Sequence, residues 1–226
     1  MRNRTRGRLT CPMVVRAPYG GGVHAPEHHS ESFEAMLAHA PGLRVVIPSS
    51  PANAYGLLLA AIRDPDPVVF LEPKRLYRAS RETVVDDGTK LPLDSCLVLR
   101  EGTDLTLVSW GASLVESLAA ADALAADGIS AEVLDVATIK PLDLTTILES
   151  VGRTGRCVIV HEAPREVGVG AEIAAGLADQ GLTSLLAPVT RVTGYDAVMP
   201  LFRTEHRYLP TPERVLAATR SVLEYA

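Results

Sequence analysis

Residues 17–36 read APYGGGVHAPEHHSESFEAM, so three consecutive glycines are followed by His24, His28 and His29 and then by a serine and acidic residues. Imidazole titrates near neutrality and both donates and accepts hydrogen bonds, which suits proton transfer or the stabilisation of an anionic intermediate. The same side chains are metal ligands by type. Their spacing is not that of a helical zinc-binding pair, and no acidic ligand set follows at a fixed interval. A third reading makes them loop residues with no chemical task. Glycines let backbone approach a ligand or turn sharply, but Gly20-Gly21-Gly22 lacks the spacing of a nucleotide phosphate loop. Two other places carry chemical residues. His161-Glu162 follows the apolar run CVIV, at the carboxyl end of an expected strand, where open α/β sheets bind ligands; a site and a satisfied buried pair are both open. Gly168-Val169-Gly170 opens a helix, as an anion site or as a packing turn. His39 falls at the end of a short helix, where a cation suits the helix dipole.

Strand-like and helix-like runs must position these groups. Short β-branched runs predict strands at 12–16, 43–47, 68–71, 105–109, 131–136, 157–160 and 189–192. Helices are expected over 31–39, from Ser50-Pro51 to about Arg63, over 113–127, from Asp143 to about Val151, over 170–180 and from Thr211-Pro212 onward. Ser113 and Glu116 have capping-box spacing. Leu114, Val115, Leu118, Ala121 and Leu124 form an apolar stripe that Gly128 ends in a left-handed turn. Residues 73–95 show no period and read as a linker. The alternation implies an α/β fold with mostly parallel sheets covered by helices, in two units at 1–90 and 91–226. The first unit shows only about three strands, half of an expected domain, which would leave an unpaired sheet edge.

Bulk properties narrow the function. Apolar residues make up 47% and charged residues 22% of the 226, a globular balance, and the net charge of −5 supplies no basic face for nucleic acid. Cys11, Cys96 and Cys157 are an odd count without close pairs, which argues against a disulfide framework or zinc site and makes all three packing residues in a reducing compartment. No apolar stretch is long enough for a membrane span. The arginines at 2, 4, 6 and 8 read as a solvated loop, with a targeting segment the lesser alternative.

The blocks VRAPYGGG, EHHSESFEAMLAHAPGLRVVIPSSP, AAIRDPDPVVFLEPKRLYR, EGTDLTLVSWG, KPLDLTTILESV and TGRCVIVHEAP occur in that order. Together they resemble the beta subunit of the thiamin-diphosphate-dependent decarboxylating component of 2-oxo acid dehydrogenase complexes, from about Leu9 to Ala226. EPKRLYR leans toward the branched-chain (2-oxoisovalerate) members, with the pyruvate type, a transketolase-like transferase and a non-catalytic assembly module as alternatives. The resemblance implies a truncated transketolase-like pyrimidine-binding domain followed by a transketolase C-terminal-like domain. It implies an α2β2 heterotetramer that holds thiamin diphosphate between subunits, the alpha subunit supplying the diphosphate and Mg2+ site and the beta subunit the surface for the aminopyrimidine ring. It also implies a lipoyl-bearing acyltransferase core as partner, and a cytoplasmic or mitochondrial-matrix location. The family's beta-subunit histidine precedes a serine and a short helix, which matches His29 before Ser30, with a role in reductive acylation of the lipoyl group. Many relatives hold a potassium ion through backbone oxygens, and the matching positions are Met13, Val14, Ala61, Asp64 and Asp66. This sequence departs from the pattern in three ways. Nothing matches the family's thiamin-activating glutamate, which is expected upstream; Ala137 stands where the family has arginine; and REVGVG and DAVMP vary from their usual forms.

Overall fold

A computed structural model of the chain describes residues 2–26 and 28–225. The β-branched runs build two sheets. The first contains β1 (Val14–Tyr19), β2 (Arg44–Val46), β3 (Val68–Pro73) and β7 (Thr138–Lys140), in the order β1-β3-β2-β7. β1 and β2 run parallel to β3, and Val15 and Val45 flank Val69 from its two sides. β7 pairs antiparallel with β2, with Val46 opposite Thr138, and the Ile47 N–H donates to the Ala137 carbonyl at 2.9 Å. A strand from the far half of the chain therefore covers one edge expected to be unpaired. β1 forms the other edge, with Val15 and Met13 exposed.

The second sheet has the order β4-β6-β5-β8-β9, from β4 (Leu97–Arg100), β5 (Leu105–Ser109), β6 (Ala131–Asp135), β8 (Cys157–Val160) and β9 (Thr190–Val192). All its pairings are parallel except that of β4 with β6. Tyr19, Val45 and Leu71 from the first sheet pack in one core with Val108, Leu134 and Ile159 from the second.

The helices are α1 (Glu34–Ala38), α2 (Pro51–Arg63), α3 (Leu114–Ala126), α4 (Leu144–Thr154), α5 (Val169–Gln180), α6 (Glu205–Tyr208) and α7 (Pro212–Leu223). Ser50, Asp143 and Thr211 cap α2, α4 and α7 by accepting backbone N–H bonds, so these starts obey the capping rule. The expected capping box at Ser113 does not form. Glu116 turns instead to Arg75, accepting at 2.5 and 3.0 Å, because a two-point charged pair outweighs a neutral cap. Ser113 Oγ makes no hydrogen bond among the described residues.

Other expectations need correction. Val115 is exposed and lies off the buried face of α3. α1 starts three residues later than expected because the Glu31 carbonyl accepts from Gly20 N–H and the Ser32 hydroxyl donates to Glu162, so neither serves a helix start. The stretch 73–95 is not only linker: β3 runs through Pro73, and Lys74–Tyr77 makes a 3-10 turn that delivers Arg75 to Glu116. Cys157 is buried, with its thiol pushed up to about 12 by burial, but Cys11 is exposed and packs no core. No helix among the described residues is long and apolar enough to cross a membrane.

Candidate functional site

β1 runs into the glycine triplet, and β8 ends just before His161 and Glu162. These two strand ends meet. Glu162 Oε1 accepts the Gly21 N–H at 3.3 Å and the Ser32 hydroxyl at 2.8 Å. Glu205, the first residue of α6, accepts the Gly22 N–H at 2.6 Å through Oε1 and the His24 N–H at 3.0 Å through Oε2. A Cβ on Gly20 would lie 1.9 Å from Glu162 Oε1, one on Gly21 2.6 Å from the Met199 methyl, and one on Gly22 2.5 Å from Arg75 Cδ. The triplet is therefore filled by this chain's own side chains: Gly20 and Gly21 serve close approach of the far half and Gly22 that of Arg75, rather than a phosphate.

The histidines have different surroundings. His29 and His28 are both exposed on the loop before α1. Lys74 Nζ donates to the His29 carbonyl, which ties the loop to the turn after β3. His28 Nδ1 stands 3.5 Å from Glu31 Oε1, and His24 Nε2 stands 3.7 Å from Glu205 Oε2. No three metal-ligating side chains converge among the described residues, so the metal reading of the histidines gains no support. His39 is the C-cap of α1, as expected from the dipole.

His161-Glu162 is a buried pair of unlike members. The His161 ring stacks on Trp110 at 4.9 Å between centroids, and burial together with Arg191 lowers its pKa to about 3, so it is neutral. A Cβ on Gly170 would lie 2.6 Å from His161 Nε2, so Gly168-Val169-Gly170 is a packing turn that admits the imidazole. Beside it, Glu34 is wholly buried, accepts the Trp110 indole N–H at 3.2 Å, and has its pKa raised by burial. Sequence reasoning missed Glu34, Ser32 and Glu205. The first two lie in the stretch expected to be one helix, and α6 is too short to leave a period.

Burial raises Glu162 from 4.5 to about 7, and Asp135, which accepts from Ser49 and Asn53, from 3.8 to about 7. Between the unfolded and folded values the unfolded chain has lost a proton that the folded chain keeps. Stability due to these groups is therefore full below about pH 4 and falls as pH rises to about 7, where it levels off. For Glu162 alone the fall is on the order of 3 kcal/mol. In chemical denaturation between pH 5 and 8, Glu162→Gln should flatten this decline. A slope equal to that of the parent would assign the decline to other groups.

A cavity of about 1380 Å³ opens beside the loop, lined by His28, Ser32, Phe33 and His39 on one wall and Glu162 and Val169 on the other. Far from it, Met13 and Val14 lie against the segment after α2. Cys11 N–H donates to the Pro65 carbonyl, Val68 N–H to that of Met13, and Asp64 N–H to that of Ala61. Asp64 pairs with Arg44 at 3.3 Å and takes the Asp66 N–H at 2.8 Å, while Asp66 pairs with Arg2 at 2.6 Å. Met13, Val14, Ala61, Asp64 and Asp66 are thus neighbours, and their carboxylates already hold protein partners.

Comparison with known proteins places this arrangement. Residues 1–80 match the family model "Transketolase, pyrimidine binding domain" and residues 94–215 match "Transketolase, C-terminal domain". The chain is 49% identical over 225 residues to a pyruvate dehydrogenase E1 component subunit beta of Bacillus subtilis, covering all of this chain and 69% of that protein. It is 47% identical to the subunit of the same name from Acholeplasma laidlawii, covering 98% of this chain and 68% of the relative. Among solved structures it is similar to a split-gene transketolase described as an inactive β4 tetramer, with a TM-score of 0.76, 27% identity, and coverage of 94% of this chain and 66% of that one. The chain thus spans about two thirds of the length of these relatives. With two transketolase-type sheets joined through the carboxylate-held glycine loop, and with relatives of this identity, the chain belongs to the transketolase-like family of 2-oxo acid dehydrogenase E1 component beta subunits.

Proposed function

We propose that the chain works as the beta subunit of a pyruvate-type E1 component, in an α2β2 assembly that decarboxylates a 2-oxo acid and acylates a lipoyl group on an acyltransferase core. The observation that carries the proposal is the exposed His29 loop, held by Glu162, Glu205 and Lys74. The relatives' names favour pyruvate over the branched-chain substrate that EPKRLYR suggested.

In this reading thiamin diphosphate with Mg2+ is held between this chain and the alpha subunit. The glycine triplet is filled, and no three metal-ligating side chains converge among the described residues. The reading gives the diphosphate and Mg2+ to the alpha subunit and the aminopyrimidine surface to this chain, and the chemistry assigned here is confined to this chain's own residues. When the S–S bond of the lipoyl ring breaks, one sulfur takes the acyl group and the other takes a proton. In this reading His29 supplies that proton, a task that suits imidazole near neutrality. The reading also includes a potassium ion at Met13, Val14, Ala61, Asp64 and Asp66, since backbone oxygens are ligands of the kind a hard cation takes.

Likeness to a structure described as an inactive tetramer supports a second reading, an assembly module without activity of its own. One experiment separates these. The chain, assembled with an alpha subunit and a lipoyl domain, should acylate the domain with a kcat/KM for pyruvate at least about tenfold above that for 2-oxoisovalerate, the scale on which apolar pockets discriminate added carbons. The reverse preference would restore the branched-chain reading. Assembly without turnover of either acid would favour the module.

A further inference from the structure

We infer that Glu205 is the positioning residue of the histidine loop, acting on His29 through the backbone; this rests on the role proposed above for His29. Glu205 comes from the opposite half of the chain and is 2% exposed. Its two carboxylate oxygens take the N–H groups of Gly22 and His24, which flank Val23 where the loop leaves the triplet. Both residues sit in the left-handed region, at φ +81 and +55, and His28 follows at φ +63. Histidine at positive φ is strained, so the loop needs an external hold to keep this path. Charge-assisted acceptance of two amides by one buried carboxylate is such a hold. Glu162 on Gly21 and Ser32, and Lys74 on the His29 carbonyl, complete a three-point frame, in which Glu205 bridges two amides of the left-handed stretch.

Glutamine tests this without emptying the space. Its oxygen can take one N–H, but its amide group then meets the other donor to donor. Hydrogen exchange followed by mass spectrometry on Glu205→Gln should show the peptide spanning 20–32 exchanging about tenfold faster, as expected for one lost buried hydrogen bond, with β5 and α7 unchanged. In the assembly with the alpha subunit, kcat for lipoyl acylation should fall about tenfold, with the KM for the 2-oxo acid and the decarboxylation rate toward an artificial electron acceptor within about twofold. Unchanged loop exchange overturns the inference, and so does an equal fall in both reactions, which would mark a general packing role. His29→Ala is run beside it. Acylation lost there but unmoved in Glu205→Gln overturns the positioning role alone. Acylation unmoved in His29→Ala overturns the reading of His29, and the inference with it.

Discussion

Replacing Gly20 by alanine should cost about 3–5 kcal/mol, a large part of the 5–15 kcal/mol that a domain typically has. Two effects add. The residue sits at φ +77, where a Cβ is strained by about 1 kcal/mol or more. The new Cβ would also lie 1.9 Å from Glu162 Oε1 and 3.0 Å from its Cδ, which is overlap rather than contact. Glu162 cannot move away cheaply. It is 3% exposed, and the same oxygen holds Gly21 N–H and Ser32 Oγ, so displacement gives up bonds worth about 1–3 kcal/mol each when left unmade in the interior. Urea denaturation would show a lowered midpoint with the slope little changed. The mechanism predicts coupling: in a Glu162→Ala background the steric part disappears, so Gly20→Ala should cost only about 1 kcal/mol there. A small cost in the parent, or equal costs in both backgrounds, would show that the loop relaxes and that its glycine is not required by Glu162.

What the sequence made legible follows the range of the interactions. Strands β5 and β8 fall at the expected residues because their β-branched runs are buried on both faces, and the caps at Ser50, Asp143 and Thr211 are local chemistry. β7 was not legible. Thr138–Lys140 is a strand only because β2 offers it an edge, and a three-residue partner carries no period of its own. The same holds for Glu116. Its spacing from Ser113 is a correct local signal that loses to Arg75, forty-one residues away. The type of residue in the glycine-histidine loop was visible, whereas its holders were not. Glu162 was open between site and buried pair, and Glu205 sits in a four-residue helix whose meaning comes from the amides of Gly22 and His24 across the fold. Family likeness supplied what local rules could not, namely which of three histidines to choose.

That choice leads to the largest functional effect expected of this chain. In the assembly with an alpha subunit, His29→Ala should lower lipoyl acylation by about 10²–10⁴-fold, the range over which a positioned acid acts. Decarboxylation read with an artificial electron acceptor does not break the lipoyl S–S bond, so it should stay within about threefold. Structural damage is a weak rival explanation. His29 is exposed, and the Lys74 bond is to its carbonyl, which alanine keeps, so the tie between the loop and the turn after β3 survives the substitution, and denaturation of the variant measures any change in stability separately. His28 is the control. It is the neighbouring imidazole, with Nδ1 3.5 Å from Glu31, and its left-handed backbone calls for asparagine as the replacement, since asparagine tolerates that region. His28→Asn should leave acylation within about threefold if His29 is the proton donor. Loss in His28→Asn with retention in His29→Ala would move the role one residue along the loop. Loss of both reactions together in His29→Ala would place the residue in decarboxylation rather than in transfer to the lipoyl group.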